Sequence, residues 1–154
     1  MKLILFVCRG NTCRSPMAEA VARNAAARAG LTTRIAFASA GVSPSKIGGP
    51  ADPRAAHCAG CAGLDLADHK TRAADAATLA TADLILALDP TIYDQLAAIA
   101  PDLQSRIKPL MVYAPHLGVA EVADPWSGGA ADYDHAFALI TAATDGLVAS
   151  LRTG

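Results

Sequence analysis

Four short apolar runs punctuate the chain, at residues 3–7, 35–38, 84–88 and 110–113. None alternates cleanly with polar positions. Runs of that kind suit strands buried on both faces, as in a parallel sheet. The segments between them read as helices, predicted over residues 16–29, 53–62, 75–80, 90–99 and 132–151. Ser15 is placed to cap the first, Pro16 to occupy its first position and Gly30 to end it. Asp52 before Pro53 and Asp89 before Pro90 repeat the cap-proline signal. The order is strand, helix, strand, helix, helix, strand, helix, strand, helix. It predicts an α/β fold, doubly wound, with a four-stranded parallel sheet and helices on both faces. Ligands in such folds bind beyond the carboxyl ends of the strands, and the first such end is Cys8. Two longer irregular stretches, 41–52 and 114–131, have the length of functional loops.

Composition narrows the class. A chain of 154 residues suggests one domain spanning 1–154. It is 53% hydrophobic, with mean hydropathy +0.30, ample for a core. Thirteen basic residues face 14 acidic ones, a net charge of −1, so nothing points to nucleic acid. Only two of the acids are glutamates, Glu19 and Glu121. The apolar start of the chain stops at Arg9 without a small-residue cleavage site, so it reads as a strand rather than a signal peptide. No apolar run approaches a membrane span. The cysteines are Cys8, Cys13, Cys58 and Cys61. A chain able to build its own core needs no disulfide framework, and free thiols in a cytoplasmic protein are expected.

The candidate chemistry lies in residues 8–16, Cys-Arg-Gly-Asn-Thr-Cys-Arg-Ser-Pro, between the first strand and first helix. A short loop feeding a helix N-terminus turns backbone N–H groups inward as an anion nest. Gly10 and Asn11 are the residues best suited to left-handed backbone there. Arg14 offers a planar donor fork that matches phosphate oxygens in pairs. A cation at a helix start opposes the helix dipole, a placement explained by a bound anion. Cys8 stands in the same positive field, which favours its thiolate, a nucleophile facing the bound phosphate. No Gly-Lys-Ser or Gly-Lys-Thr is present, so this is not a Walker loop.

These residues resemble the signature of the low-molecular-weight protein tyrosine phosphatases. The likeness continues through Ser39-Ala40-Gly41, Ile47-Gly48, Asp52-Pro53-Arg54, His69, residues 83–86 with Leu88-Asp89, and Asp124-Pro125-Trp126. It covers essentially the whole chain. It implies hydrolysis of phosphotyrosine on protein substrates through a phosphocysteine on Cys8. Arg14 would bind the phosphate and Asp124 would act as general acid, a choice that spacing alone cannot make among the aspartates. The resemblance further implies that Asn11, Ser39 and His69 hold the loop in shape and that Ser15 donates to the sulfur. Asp89 matches a family aspartate near the loop and also reads as a helix cap. Gly10, Thr12, Cys13 and Arg9 complete the expected substrate loop, and Cys13 could form a reversible disulfide with Cys8. The chemistry calls for no metal and no organic cofactor.

Departures from the family pattern keep rivals open. Arg9 stands where an apolar residue is common, and at a pocket mouth it would favour anionic substrates. Ser45 replaces a frequent aromatic, leaving Trp126 as a candidate wall for an aromatic ring. Thr12 also occurs in bacterial protein arginine phosphatases, so phosphoarginine is the second reading. Arsenate reduction on the same fold is the third. It would need relay thiols, and Cys58 and Cys61 share one face of a predicted helix, where core packing is the expectation. A non-catalytic phosphate-binding module remains the alternative outside enzymes.

Overall fold

Burial along the first strand explains its unbroken apolar run. In the computed structural model, which describes residues 1–153, β1 (Lys2–Cys8) is buried from Ile4 onward. Ile4, Phe6 and Cys8 face one core cluster, while Leu5 and Val7 face another. Successive side chains point to opposite sides of a strand, so a strand covered on both faces must be apolar throughout.

The remaining elements are α1 (Arg14–Arg28), β2 (Ile35–Gly41), α2 (Pro53–Cys61), α3 (Ala76–Ala80), β3 (Leu84–Ala87), α4 (Pro90–Ile99), β4 (Ile107–Pro109) and α5 (Ala130–Arg152). All strand pairs are parallel, in the order β2-β1-β3-β4. Residues of α1, α2 and α5 share the core on one face, where Phe6 stacks on Phe37 with ring centroids 6.1 Å apart. Leu79 of α3 with Ile92 and Leu96 of α4 cover the other. The fold is therefore the expected doubly wound α/β sheet. Strand order reverses between β1 and β3, which places the topological switch point beside Cys8 and Asp89.

Three local expectations change. Residues 110–113 form a 3-10 turn, and the fourth strand is the preceding Ile107–Pro109. Only Ile107 of that strand is buried and Lys108 is exposed, so no apolar run marks it; Pro109 lacks the N–H to extend a ladder. Helix α1 begins at Arg14, with Cys13 at its N-cap and no side-chain cap, so Ser15 lies inside the first turn. Pro16 is tolerated there because the first four N–H groups of a helix have no internal partner. Helix α5 begins at Ala130, where Asp132 accepts from the Gly129 N–H at 2.8 Å. Asp52 and Asp89 cap α2 and α4 as expected, and Gly30 takes the left-handed φ of 72° beyond α1. Among the described residues, no helix is long and apolar enough to cross a membrane.

Candidate active site

The loop from Cys8 to Ser15 leaves β1 at the switch point and turns directly into α1. Its shape depends on Asn11, the one described non-glycine residue with positive φ, 57°. Gly10, the other expected left-handed residue, is not in that region. Asparagine tolerates the conformation better than most residues because its short polar side chain bonds locally.

Here those bonds reach across three segments. Asn11 Nδ2 donates to Ser15 Oγ at 2.8 Å and to Ser39 Oγ at 2.9 Å. Its Oδ1 accepts from the Arg72 N–H at 2.9 Å. Its backbone carbonyl accepts from His69 Nε2 at 2.7 Å and from Thr71 Oγ1 at 3.5 Å. A carbonyl only accepts, so Nε2 of His69 carries the proton. Asn11 is fully buried and every polar group of its side chain is used.

Ser15 completes the chain of donors. Its Oγ receives the Asn11 proton, leaving its own for Cys8 Sγ at 3.0 Å or the Ala40 carbonyl at 3.4 Å. The shorter contact is to sulfur, so the hydroxyl can stabilise negative charge on Cys8. This explains why Ser15 does not cap α1.

Arg14 is 3% exposed. Its Nη1 meets Asp89 Oδ2 at 2.6 Å and donates to the Val122 carbonyl at 2.9 Å. Asp89 uses its other oxygen to cap α4, accepting from Ile92 N–H at 2.8 Å. Arg14 Nη2 lies 3.7 Å from Asp124 Oδ2. Asp124 is 41% exposed, and its Oδ1 accepts from the Trp126 N–H at 3.1 Å, a local turn that aims the carboxyl group.

Cys8, Arg9, Gly10, Thr12, Cys13, Arg14, Asp124 and Trp126 line one cavity of about 420 Å³, together with Ser43, Pro44 and Ser45. Trp126 is 63% exposed there and is not a core residue. Asn11 and Ser15 of the same loop are buried and do not line the cavity, with Ser39 and His69 bonded to Asn11. Cys13 is buried, its Sγ 3.3 Å from Tyr133 Oη, and burial pushes its thiol above the ordinary range. Burial, then the Cys13 contact, likewise pushes Tyr133 up.

Several contributors had no clear side-chain signal. The Arg72 donor is a backbone group. Gly41 matters through its missing Cβ, which would stand 2.7 Å from the Arg9 carbonyl and 2.8 Å from the Asn11 nitrogen. Tyr133 carries the Arg54 guanidinium over its ring at 5.1 Å, and Arg54 pairs with Asp52 at 3.0 Å. The Asp52 N–H in turn donates to the Thr12 carbonyl at 2.9 Å. Cys58 and Cys61 do not share a core environment. Cys58 is buried against Asp134, with its thiol pushed up to about 11 by burial and then by that carboxylate, whereas Cys61 is exposed beside His57 near the end of α2. Neither lines the cavity.

A cysteine-bearing loop that turns into a helix at the switch point of a doubly wound sheet, with arginine and aspartate on the same cavity, defines the class of protein. Residues 3–154 match the family described as low molecular weight phosphotyrosine protein phosphatase, and the chain belongs to that family. It is 35% identical over 153 residues to a low molecular weight protein-tyrosine-phosphatase of Streptomyces coelicolor, covering 97% of this chain and 93% of the relative. A protein tyrosine phosphatase from Entamoeba histolytica, crystallised with Hepes in its active site, superposes with a TM-score of 0.95 at 28% identity, covering 100% of this chain and 99% of the other. The YwlE arginine phosphatase of Bacillus subtilis, in a mutant with a phosphorylated active-site serine, superposes with a TM-score of 0.88 at 29% identity, covering 97% and 95%.

Proposed function

We propose that this protein hydrolyses phosphotyrosine on protein substrates through a phosphocysteine on Cys8. The observation that carries the reading is the convergence of Cys8, Arg14 and Asp124 on one cavity, with the Ser15 hydroxyl 3.0 Å from the Cys8 sulfur.

The loop N–H groups and the Arg14 fork hold the non-bridging phosphate oxygens. The Cys8 thiolate attacks phosphorus, and the ester P–O bond breaks as Asp124 delivers its proton to the departing oxygen. In the second half, the Asp124 carboxylate takes a proton from water. That water attacks the phosphocysteine, the S–P bond breaks, and the Ser15 hydroxyl stabilises the returning thiolate. Asn11, Ser39 and His69 act as positioning residues, holding the loop in the shape the reaction needs. Trp126 at the cavity mouth provides an apolar face for a tyrosyl ring. Thiolate chemistry of this kind suits reducing surroundings, which favours a cytoplasmic location.

Hydrolysis of p-nitrophenyl phosphate tests the reading. Cys8→Ser abolishes turnover while phosphate binding survives. Asp124→Asn lowers kcat by about 10²- to 10⁴-fold for substrates with poor leaving groups. An inactive reduced wild type rules the proposal out.

A second reading, phosphoarginine hydrolysis, is favoured by Thr12 on the cavity wall and by the likeness to an arginine phosphatase. Comparing kcat/KM on phosphotyrosine and phosphoarginine separates the two. A strong phosphoarginine preference that Thr12→Ile removes decides for the second.

A further inference from the structure

Arg9 differs from every other residue of the phosphate loop. Cys8, Asn11, Cys13, Arg14 and Ser15 are buried, Gly10 and Thr12 are half-buried, and Arg9 alone is exposed. Its backbone is fixed, because its carbonyl accepts from the Ser43 N–H at 2.8 Å and the end of β2 at Gly41 presses against it. Arg9 lines the same cavity as Cys8 and Asp124.

Arg14 is occupied by Asp89 and the Val122 carbonyl, Arg23 by Glu19 and Arg54 by Asp52. Among the described residues, Arg9 has no ion-pair partner. Among the described residues, Asp124 is the one carboxylate lining the cavity, and it is turned towards Arg14 and the Trp126 N–H. An exposed guanidinium on a fixed backbone, in a residue that lines the cavity and is unpaired among the described residues, is free to receive an anion from outside the protein.

We infer that Arg9 selects phosphoprotein segments carrying a carboxylate side chain adjacent to the phosphorylated residue. The inference rests on the phosphatase reading and adds a substrate class to it. The phosphoryl group enters the loop and meets Cys8 and Arg14. The flanking Asp or Glu stays at the rim and pairs with Arg9. An arginine fork matches a carboxylate two oxygens at a time, whereas a flanking lysine meets like charge.

The experiment compares kcat/KM for two phosphotyrosine peptides of equal length, one with Asp and one with Lys on each side of the phosphotyrosine. At low ionic strength the wild type prefers the acidic peptide by about two- to five-fold, the scale of a partly exposed ion pair. The ratio shrinks as salt rises. It falls to near one in Arg9→Ala, reverses in Arg9→Glu and is largely kept in Arg9→Lys. A wild-type ratio near one overturns the inference, and so does a preference that Arg9→Ala leaves intact. Hydrolysis of p-nitrophenyl phosphate by the wild type separates the two levels. With that activity present, indifference to flanking charge sinks this inference alone; with it absent, the phosphatase reading falls and takes the inference with it.

Discussion

The Arg14 guanidinium meets the Asp89 carboxylate at 2.6 Å, joining the end of the Cys8–Ser15 loop to the start of α4. The same carboxylate caps that helix, so one side chain serves the site and the fold. Asp89→Ala removes a cap worth about 1 kcal/mol and leaves a buried arginine with only the more distant Asp124 as its charge partner. The expected outcome is a loss of about 2–4 kcal/mol in denaturant unfolding, partly recovered by phosphate. Asp89→Asn keeps a good cap but not the charge. It is expected to lose less stability while kcat/KM falls about 10- to 100-fold through misplacement of the fork. Equal stability losses in the two variants would show that the charge pair, not the cap, dominates.

Asn11 combines a left-handed backbone with a fully used side chain. Asn11→Ala keeps the strain and strands the Arg72 N–H, so about 2–4 kcal/mol is lost. Asn11→Gly loses the same bonds but relieves the backbone, and should be more stable than the alanine variant by about 1 kcal/mol. Chemical denaturation of the pair gives the order, and the reverse order refutes the account.

Gly41 is where β2 touches the Cys8–Ser15 loop. A methyl group there would stand 2.7 Å from the Arg9 carbonyl. Gly41→Ala is expected to cost about 1–3 kcal/mol by overpacking and to lower kcat/KM by distorting the loop. Thermal unfolding together with kcat/KM checks it; a fully active, fully stable variant would refute the close packing of β2 against the loop.

The four thiols should react in a fixed order. Cys61 is exposed, whereas burial raises Cys13 and holds Cys58 at about 11. Brief alkylation near pH 7.5, read by mass spectrometry, is expected to modify Cys61 readily and to spare Cys13 and Cys58. Cys8 opens on the cavity, so phosphate should slow its modification. Modification of Cys13 as fast as Cys61 would contradict the buried Tyr133 contact.

Hydrogen bonds from Arg54 hold the Asp52 carboxyl below its ordinary range. A carboxyl lowered in the folded state adds stability above its unfolded value, about 3.9, and that stability is lost as pH falls through the folded value. Wild-type stability should therefore drop below about pH 4, and Arg54→Ala should flatten that part of the profile. Unfolding midpoints between pH 3 and pH 6 measure the difference, and parallel profiles would exclude the coupling.

The chain's local pattern already determined the layered α/β architecture, three of the four strands and the loop from Cys8 to Ser15. The reason is that these signals are contiguous. A strand buried on both faces is apolar residue after residue, and the Cys8–Ser15 loop carries its cysteine and arginine within seven positions of sequence. What only the tertiary structure decided depends on distant backbone. The edge strand Ile107–Pro109 is recognised by its pairing with β3 rather than by its side chains. Ser15 reads as a helix cap until Cys8 and Asn11 are seen on either side of its hydroxyl. The Arg72 N–H and the absent Cβ of Gly41 hold the loop without any side-chain chemistry to announce them. Burial separates Cys58 from Cys61 although they are three residues apart, because the end of α2 carries the second thiol into solvent.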